Sequence, residues 1–199
     1  QDLGNLNSLT LTELIIQTGI HDAIARKLNQ QGRLSRNAIA EGIINNVRKT
    51  IIREQLTDPQ FYAEMSLLLD DLIAQSRADA AAYEVFLRKA EALAKRLASK
   101  GDLAGVPASL HGNPEAIVVF KNLPLVLSRA RALPSPESSD SIAALALEID
   151  RAMREQAPAG WKGDGPREGQ VLNALYPILS RNREATLAVF QLVKNQAGY

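Results

Sequence analysis

The amino-acid sequence predicts an all-α protein, an irregular bundle of about eight helices with no sheet. Three observations carry this. Nearly every stretch between glycine and proline punctuation repeats its apolar residues at spacings of three and four. No stretch alternates for long enough to make a strand, and residues 60 to 100 contain neither Gly nor Pro.

The elements follow in order. Residues 9–18 read as a short helix stopped at Gly19, and residues 20–30 as a second that ends by Gly32. Ser35 is the expected N-cap of a third helix reaching residue 55, after which Asp58 and Pro59 supply a cap and a first-turn proline for the next. In the stretch 59–99, Phe61, Met65, Leu68, Leu72, Tyr83, Phe86, Ala90, Leu93 and Leu97 form an apolar stripe broken only by a weak patch, Ser76 to Ala82. The expectation is one long helix, or two nearly collinear ones hinged in that patch, with the stripe serving as core. Glycines 101, 105 and 112 with Pro107 mark the main loop, so a sub-boundary at 100–113 is expected to divide residues 1–199 into two helical layers. Asn113-Pro114-Glu115 then reads as cap, first turn and dipole-matched acid. ALPSPESSDS (132–141) reads as a linker before a helix to residue 156, and two last helices are expected at 167–179 and 183–195.

Composition limits what the protein does. With 46% apolar residues in a chain of 199, there is enough material for a core. Lys and Arg number 23 against 22 Asp and Glu, so any nucleic acid or membrane partner must be met by a local cluster of charge. There is no cysteine, and His21 and His111 stand far apart in sequence, which argues against disulfides and zinc. No apolar run approaches the roughly 18 residues of a membrane span. The opening QDLGNLNSLT lacks an initiator Met and a signal-peptide pattern, and the expectation is an excised piece of a longer cytoplasmic chain.

Catalytic motifs are missing: no phosphate-binding P-loop, no G-x-S-x-G, no H-E-x-x-H and no EF-hand spacing. Asp70 and Asp71 are adjacent, about 100° apart on a helix, and do not jointly address a metal. The loop SKGDLAGVPASLHGNP offers glycines that can cradle a phosphate at the following helix N-terminus, or simply a turn.

Charge is distributed in blocks. Residues 26–54 carry seven Lys or Arg against Glu41 and Glu54, and residues 58–91 carry seven acids against Arg77, Arg88 and Lys89. These blocks either complement one another or leave the basic one for an external anion. Within the basic block, INNVRKTIIRE (44–54) places two poor helix formers in a helical pattern. At about 100° per residue, Ile39, Ala40, Ile43, Ile44, Val47 and Ile51 share an arc of roughly 140°, the buried face. Gly42, Asn45, Asn46, Lys49 and Arg53 fall on the far side, where amides beside cations can bond phosphate oxygens or a neighbouring loop. The single Trp lies in GWKGDGP (160–166), either anchoring that turn or serving as an interface hot spot.

The order NNVRK (45–49), YAEMSLLLDDLI (62–73), a Tyr-containing helix, GWKGD (160–164) and FQLVKNQAGY (190–199) resembles the carboxy-terminal helical region of the motor subunit of type I restriction-modification enzymes. The resemblance covers most of the chain and rests on order more than on any one motif. In that family an amino-terminal nuclease domain and two RecA-like motor domains, which translocate DNA using ATP, precede helical domains. It implies a non-catalytic assembly domain without a cofactor of its own, since ATP and Mg would be bound by other parts of the parent nuclease. The implied partners are the methyltransferase and specificity subunits, contacted through Trp161 and Lys162, and double-stranded DNA. The DNA backbone would be met, independently of sequence, by Asn45, Asn46, Arg48, Lys49 and Arg53. The alternative is a module that packs against its own motor domains and never touches DNA.

Overall fold

Thr10 opens the first helix in the computed structural model, which describes residues 9–77, 82–131 and 138–199. Its hydroxyl accepts from the Glu13 amide while the Glu13 carboxylate accepts from the Thr10 amide, a reciprocal cap that satisfies two otherwise orphaned donors. This helix, α1 (Leu11–Thr18), ends at Gly19 and is followed by α2 (Ile20–Ala23) and a wider π-type turn (Ile24–Leu28). The second helical stretch thus stops at Leu28, short of the expected residue 30. Next come α3 (Arg36–Glu54), capped by Ser35, then α4 (Pro59–Ser76) and α5 (Tyr83–Ala98). The remaining helices are α6 (Pro114–Arg129), α7 (Ser139–Gln156), α8 (Gly165–Ile178) and α9 (Arg183–Lys194). Nine α-helices and no strand are present among the described residues, an all-α bundle.

The chain divides into two units, each with its own core. The first comprises residues 1–55 and 61–100, the second residues 56–60 and 101–199. In the first, the predicted arc of α3 is buried throughout, with Ile43 fully enclosed. It shares a core with Leu11 and Leu14 of α1, Met65 and Leu72 of α4, and Phe86 and Leu93 of α5.

The stretch 59–99 is neither one rod nor two collinear ones. Lys89 pairs with Asp71 at 3.0 Å and Arg96 with Glu64 at 3.5 Å, so one partner climbs the sequence as the other descends. α4 and α5 are therefore antiparallel. The weak patch does interrupt the helix, although Ala78 to Ala81 lie outside the described residues. Folding back lets both apolar stripes serve one core, which periodicity alone cannot distinguish from a collinear arrangement. The stripe is also corrected at one position: Leu68 is 41% exposed, and Leu69 takes the buried place.

In the second unit α6 packs on α7, α7 on α8, α8 on α9 and α9 on α6, closing a ring around Val119, Leu123, Ile149, Val171, Leu175 and Val189. Residues 56–60 join this unit through buried amides. Asn122 donates to Asp58 and accepts from the Gln60 amide, and Gln196 donates to the Thr57 carbonyl. Asn113 caps α6 as expected, its Oδ1 accepting from the Ala116 amide. Most of the expected 132–141 linker, residues 132–137, lies outside the described residues, and Ser138 and Ser139 are already the cap and first turn of α7.

Candidate functional site

Two surfaces, one in each unit, gather the candidate residues. In the first unit a groove of about 730 Å³ runs between α3, the end of α4 and the start of α5. Arg36, Arg48 and Arg77 line it together with Asn37, Asn45 and Gln75, and Glu41 is the one acid among its described lining residues. The Arg36 guanidinium stacks 4.8 Å above the Tyr83 ring, a cation–π contact that steers its fork. Burial raises the Tyr83 phenol above its ordinary value, partly offset by the Arg36 charge. Arg48 donates to Asn45 Oδ1 at 3.3 Å, and none of the three arginines has an ion-pair partner among the described residues. Two acids of the second charge block pair between α4 and α5, Asp71 with Lys89 and Glu64 with Arg96, and Glu84 pairs with His21 at 3.4 Å.

The five residues expected to share one ridge are divided. Asn45 and Arg48 face the groove, while Lys49 and Arg53 are exposed and outside its lining. Asn46 is half-buried and spends an amide N–H on the Gly42 carbonyl at 2.9 Å, which answers why a poor helix former is tolerated there. Gly42 is not open either. A Cβ added to it would lie 3.1 Å from Leu28 Cδ2, so the π-type turn covers the start of the supposed ridge. The sequence pattern does not single out Arg36 or Arg77: Arg36 lies in the basic block and Arg77 in the acidic one, and only the α4–α5 hairpin brings Arg77 to α3.

In the second unit, Trp161 sits in a turn held between Gly160 and Gly163, whose φ values of 64° and 85° suit glycine. Its ring is 3% exposed, 5.7 Å from the Phe190 ring and tilted to it. So enclosed, the side chain holds the turn onto α9, as the anchor reading of Trp161 expects. Its Nε1 has no hydrogen-bond partner among the described residues, contrary to the usual habit of a buried indole. Lys162 is exposed, with Nζ 5.7 Å over the Trp161 ring and donating to the Gln196 carbonyl. Desolvation lowers its pKa. Glu168 accepts from the Gly163 amide and pairs with Lys194 at 2.6 Å, and both contacts, the Lys194 one first, hold its carboxyl below the ordinary range. The turn is thereby tied to α8 and α9.

A hydrogen-bonded cluster neighbours that turn. Asp150 accepts from Asn113, Arg154 and Tyr199, and Arg154 also pairs with Glu115 at 3.2 Å. Burial pushes the Asp150 carboxyl up, but the bonds from Tyr199, Arg154 and Asn113 outweigh it and leave it below the usual value. This cluster closes the phosphate reading of the glycine-rich loop. The helix N-terminus it leads to is already occupied by the Asn113 side chain and lined by the Glu115 and Asp150 carboxylates, which repel an anion.

No group of three His, Cys, Asp or Glu is arranged to hold a metal among the described residues, and no described helix is long and apolar enough to cross a membrane. No family model matches the chain, and no curated protein or solved structure matches it either.

Proposed function

We propose that this chain is an all-α interaction module without catalytic apparatus of its own. More particularly, we assign it as the helical carboxy-terminal part of the motor subunit of a type I restriction-modification enzyme. In that role it docks the ATP-dependent translocating and cleaving subunit onto the methyltransferase–specificity core, and Lys49 and Arg53 add contacts to the DNA backbone that do not depend on sequence.

The observation that carries this reading is the joint packing of two of the stretches on which the resemblance rests. GWKGD and FQLVKNQAGY lie apart in sequence, yet Trp161 packs on Phe190 and Lys162 bonds to the Gln196 carbonyl. Short motifs that depend on one another for packing are better support than the same motifs scattered at random. Lys49 and Arg53 stay exposed on α3, where phosphate contacts need no rearrangement. Co-purification of the methyltransferase–specificity core with the tagged chain tests the docking role. Retention of the core supports it, and its loss to the wash with a correctly folded chain removes it.

A further inference from the structure

In the second unit a cleft of about 480 Å³ opens between the last turn of α7, the turn that follows it and Gly198–Tyr199. Among the described residues, two cations line it and no acid does. Each cation lies over a ring of the same cleft, the Arg154 guanidinium 5.5 Å from the Tyr199 centroid and Lys162 Nζ 5.7 Å from the Trp161 centroid, so both are held at its wall. Both keep donors to spare. Arg154 spends Nε and Nη2 on Asp150, Asn113 and Glu115, leaving Nη1 without a bond among the described residues, and Lys162 gives one N–H to the Gln196 carbonyl and keeps the others. Their charges are not equally available. Arg154 is matched by Asp150 and Glu115, whereas Lys162 has no acid partner among the described residues, and desolvation lowers its pKa, a cost that an arriving carboxylate relieves. A polyanion is disfavoured, because Asp150, Glu115 and the carbonyl end of α7 already set negative charge behind the cations. One carboxylate is matched by Lys162. The open walls beside it are hydrocarbon: Ala157, Pro158 and Tyr199 are half-buried and Ala159 is exposed.

We infer that this cleft takes an acidic side chain of a protein partner, its carboxylate on Lys162 Nζ and Arg154 Nη1 and a neighbouring apolar residue against Pro158 and Tyr199. The inference rests on the docking role proposed above and names the chemistry of one contact that role uses. Both cations are set for it in advance, since their stacks on Trp161 and Tyr199 limit the freedom lost on binding.

Trp161 is the only Trp of the chain and lines the cleft, so its indole N–H gives a single NMR resonance sensitive to what enters. The 199-residue chain is titrated with the capped dipeptide acetyl-Leu-Glu-amide and with acetyl-Leu-Gln-amide, which lacks the charge. A saturable shift of that resonance is expected, with the Glu peptide bound about three-fold or more tighter than the Gln peptide. Lys162→Gln keeps a donor for the Gln196 carbonyl but loses the charge, and should bind both peptides alike. A disturbed fold would weaken both peptides without erasing the preference between them. Arg183→Gln removes a charge at an exposed position outside the cleft and should change the preference by less than about two-fold. No shift, equal binding of the two peptides by the native chain, an undiminished preference in Lys162→Gln, or acetate or inorganic phosphate binding as tightly as the Glu peptide would each overturn the inference. The core pull-down separates it from the reading beneath. A chain that retains the core regardless of Lys162→Gln but ignores the peptide keeps the docking role and loses the cleft. A chain that binds the peptide as described but retains no core does the reverse.

Discussion

The Tyr199 hydroxyl donates a 2.6 Å hydrogen bond to Asp150 Oδ1, joining residue 199 to the middle of α7. Burial first, then the hydrogen bond to Asp150 and its charge, raise the phenol far above its ordinary pKa. Tyr199→Phe removes one donor from a charged acceptor and should lower unfolding stability by about 1.5–3 kcal/mol, read from urea melts. An unchanged midpoint would mean that Arg154 and Asn113 satisfy Asp150 without it.

The same carboxylate sets a pH dependence. Because Asp150 titrates lower in the folded chain than in the unfolded one, its contribution is complete above the unfolded value of about 3.9 and is lost as pH falls through the folded one. Asp150→Asn should therefore flatten the acid limb of the stability–pH curve below about pH 4. Glu168, lowered by Lys194 and the Gly163 amide, keeps a residual slope in that variant. Urea melts across pH 2.5 to 6, about the range in which carboxylates titrate, check this. An acid limb identical to that of the native chain would contradict it.

Trp161→Ala should cost about 3–5 kcal/mol of stability, since the ring is enclosed and packed on Phe190. A variant with a native melting temperature and lost core binding would return Trp161 to the hot-spot reading.

The buried arc of α3, the Asn113 cap and the all-α class could be read from sequence because each depends on residues within a turn or two of one another. Other features have no local signal. The α4–α5 hairpin has the same periodicity as a straight rod. Leu68 and Leu69 differ by one helical step, and which of them is buried depends on where α5 lies. Asn122 and Gln196 reach Asp58 and Thr57 across 64 and 139 residues, distances over which composition says nothing. The groove is half visible in sequence: charge and amide chemistry point to Asn45 and Arg48, whereas Arg77 joins them only through the hairpin. The ridge was overextended because angular position on a helix does not reveal that Leu28 covers Gly42.

Lys49 and Arg53 carry the proposed contact to DNA phosphates. Lys49→Ala with Arg53→Ala should leave the helical melt unchanged, because both side chains are exposed, and Arg53 gives up only an ion pair with its neighbour Glu54. In the assembled enzyme the slope of log affinity against log salt should fall by about one unit for each contact removed. Parallel lines for native and variant complexes would move these cations to protein contacts.

Docking is the central claim, and calorimetric titration of the purified methyltransferase–specificity core into the 199-residue chain measures it most directly. A saturable heat is expected, with a Kd of about 1 μM or tighter, near −8 kcal/mol. A folded chain that gives no heat of association at any of several temperatures would contradict it.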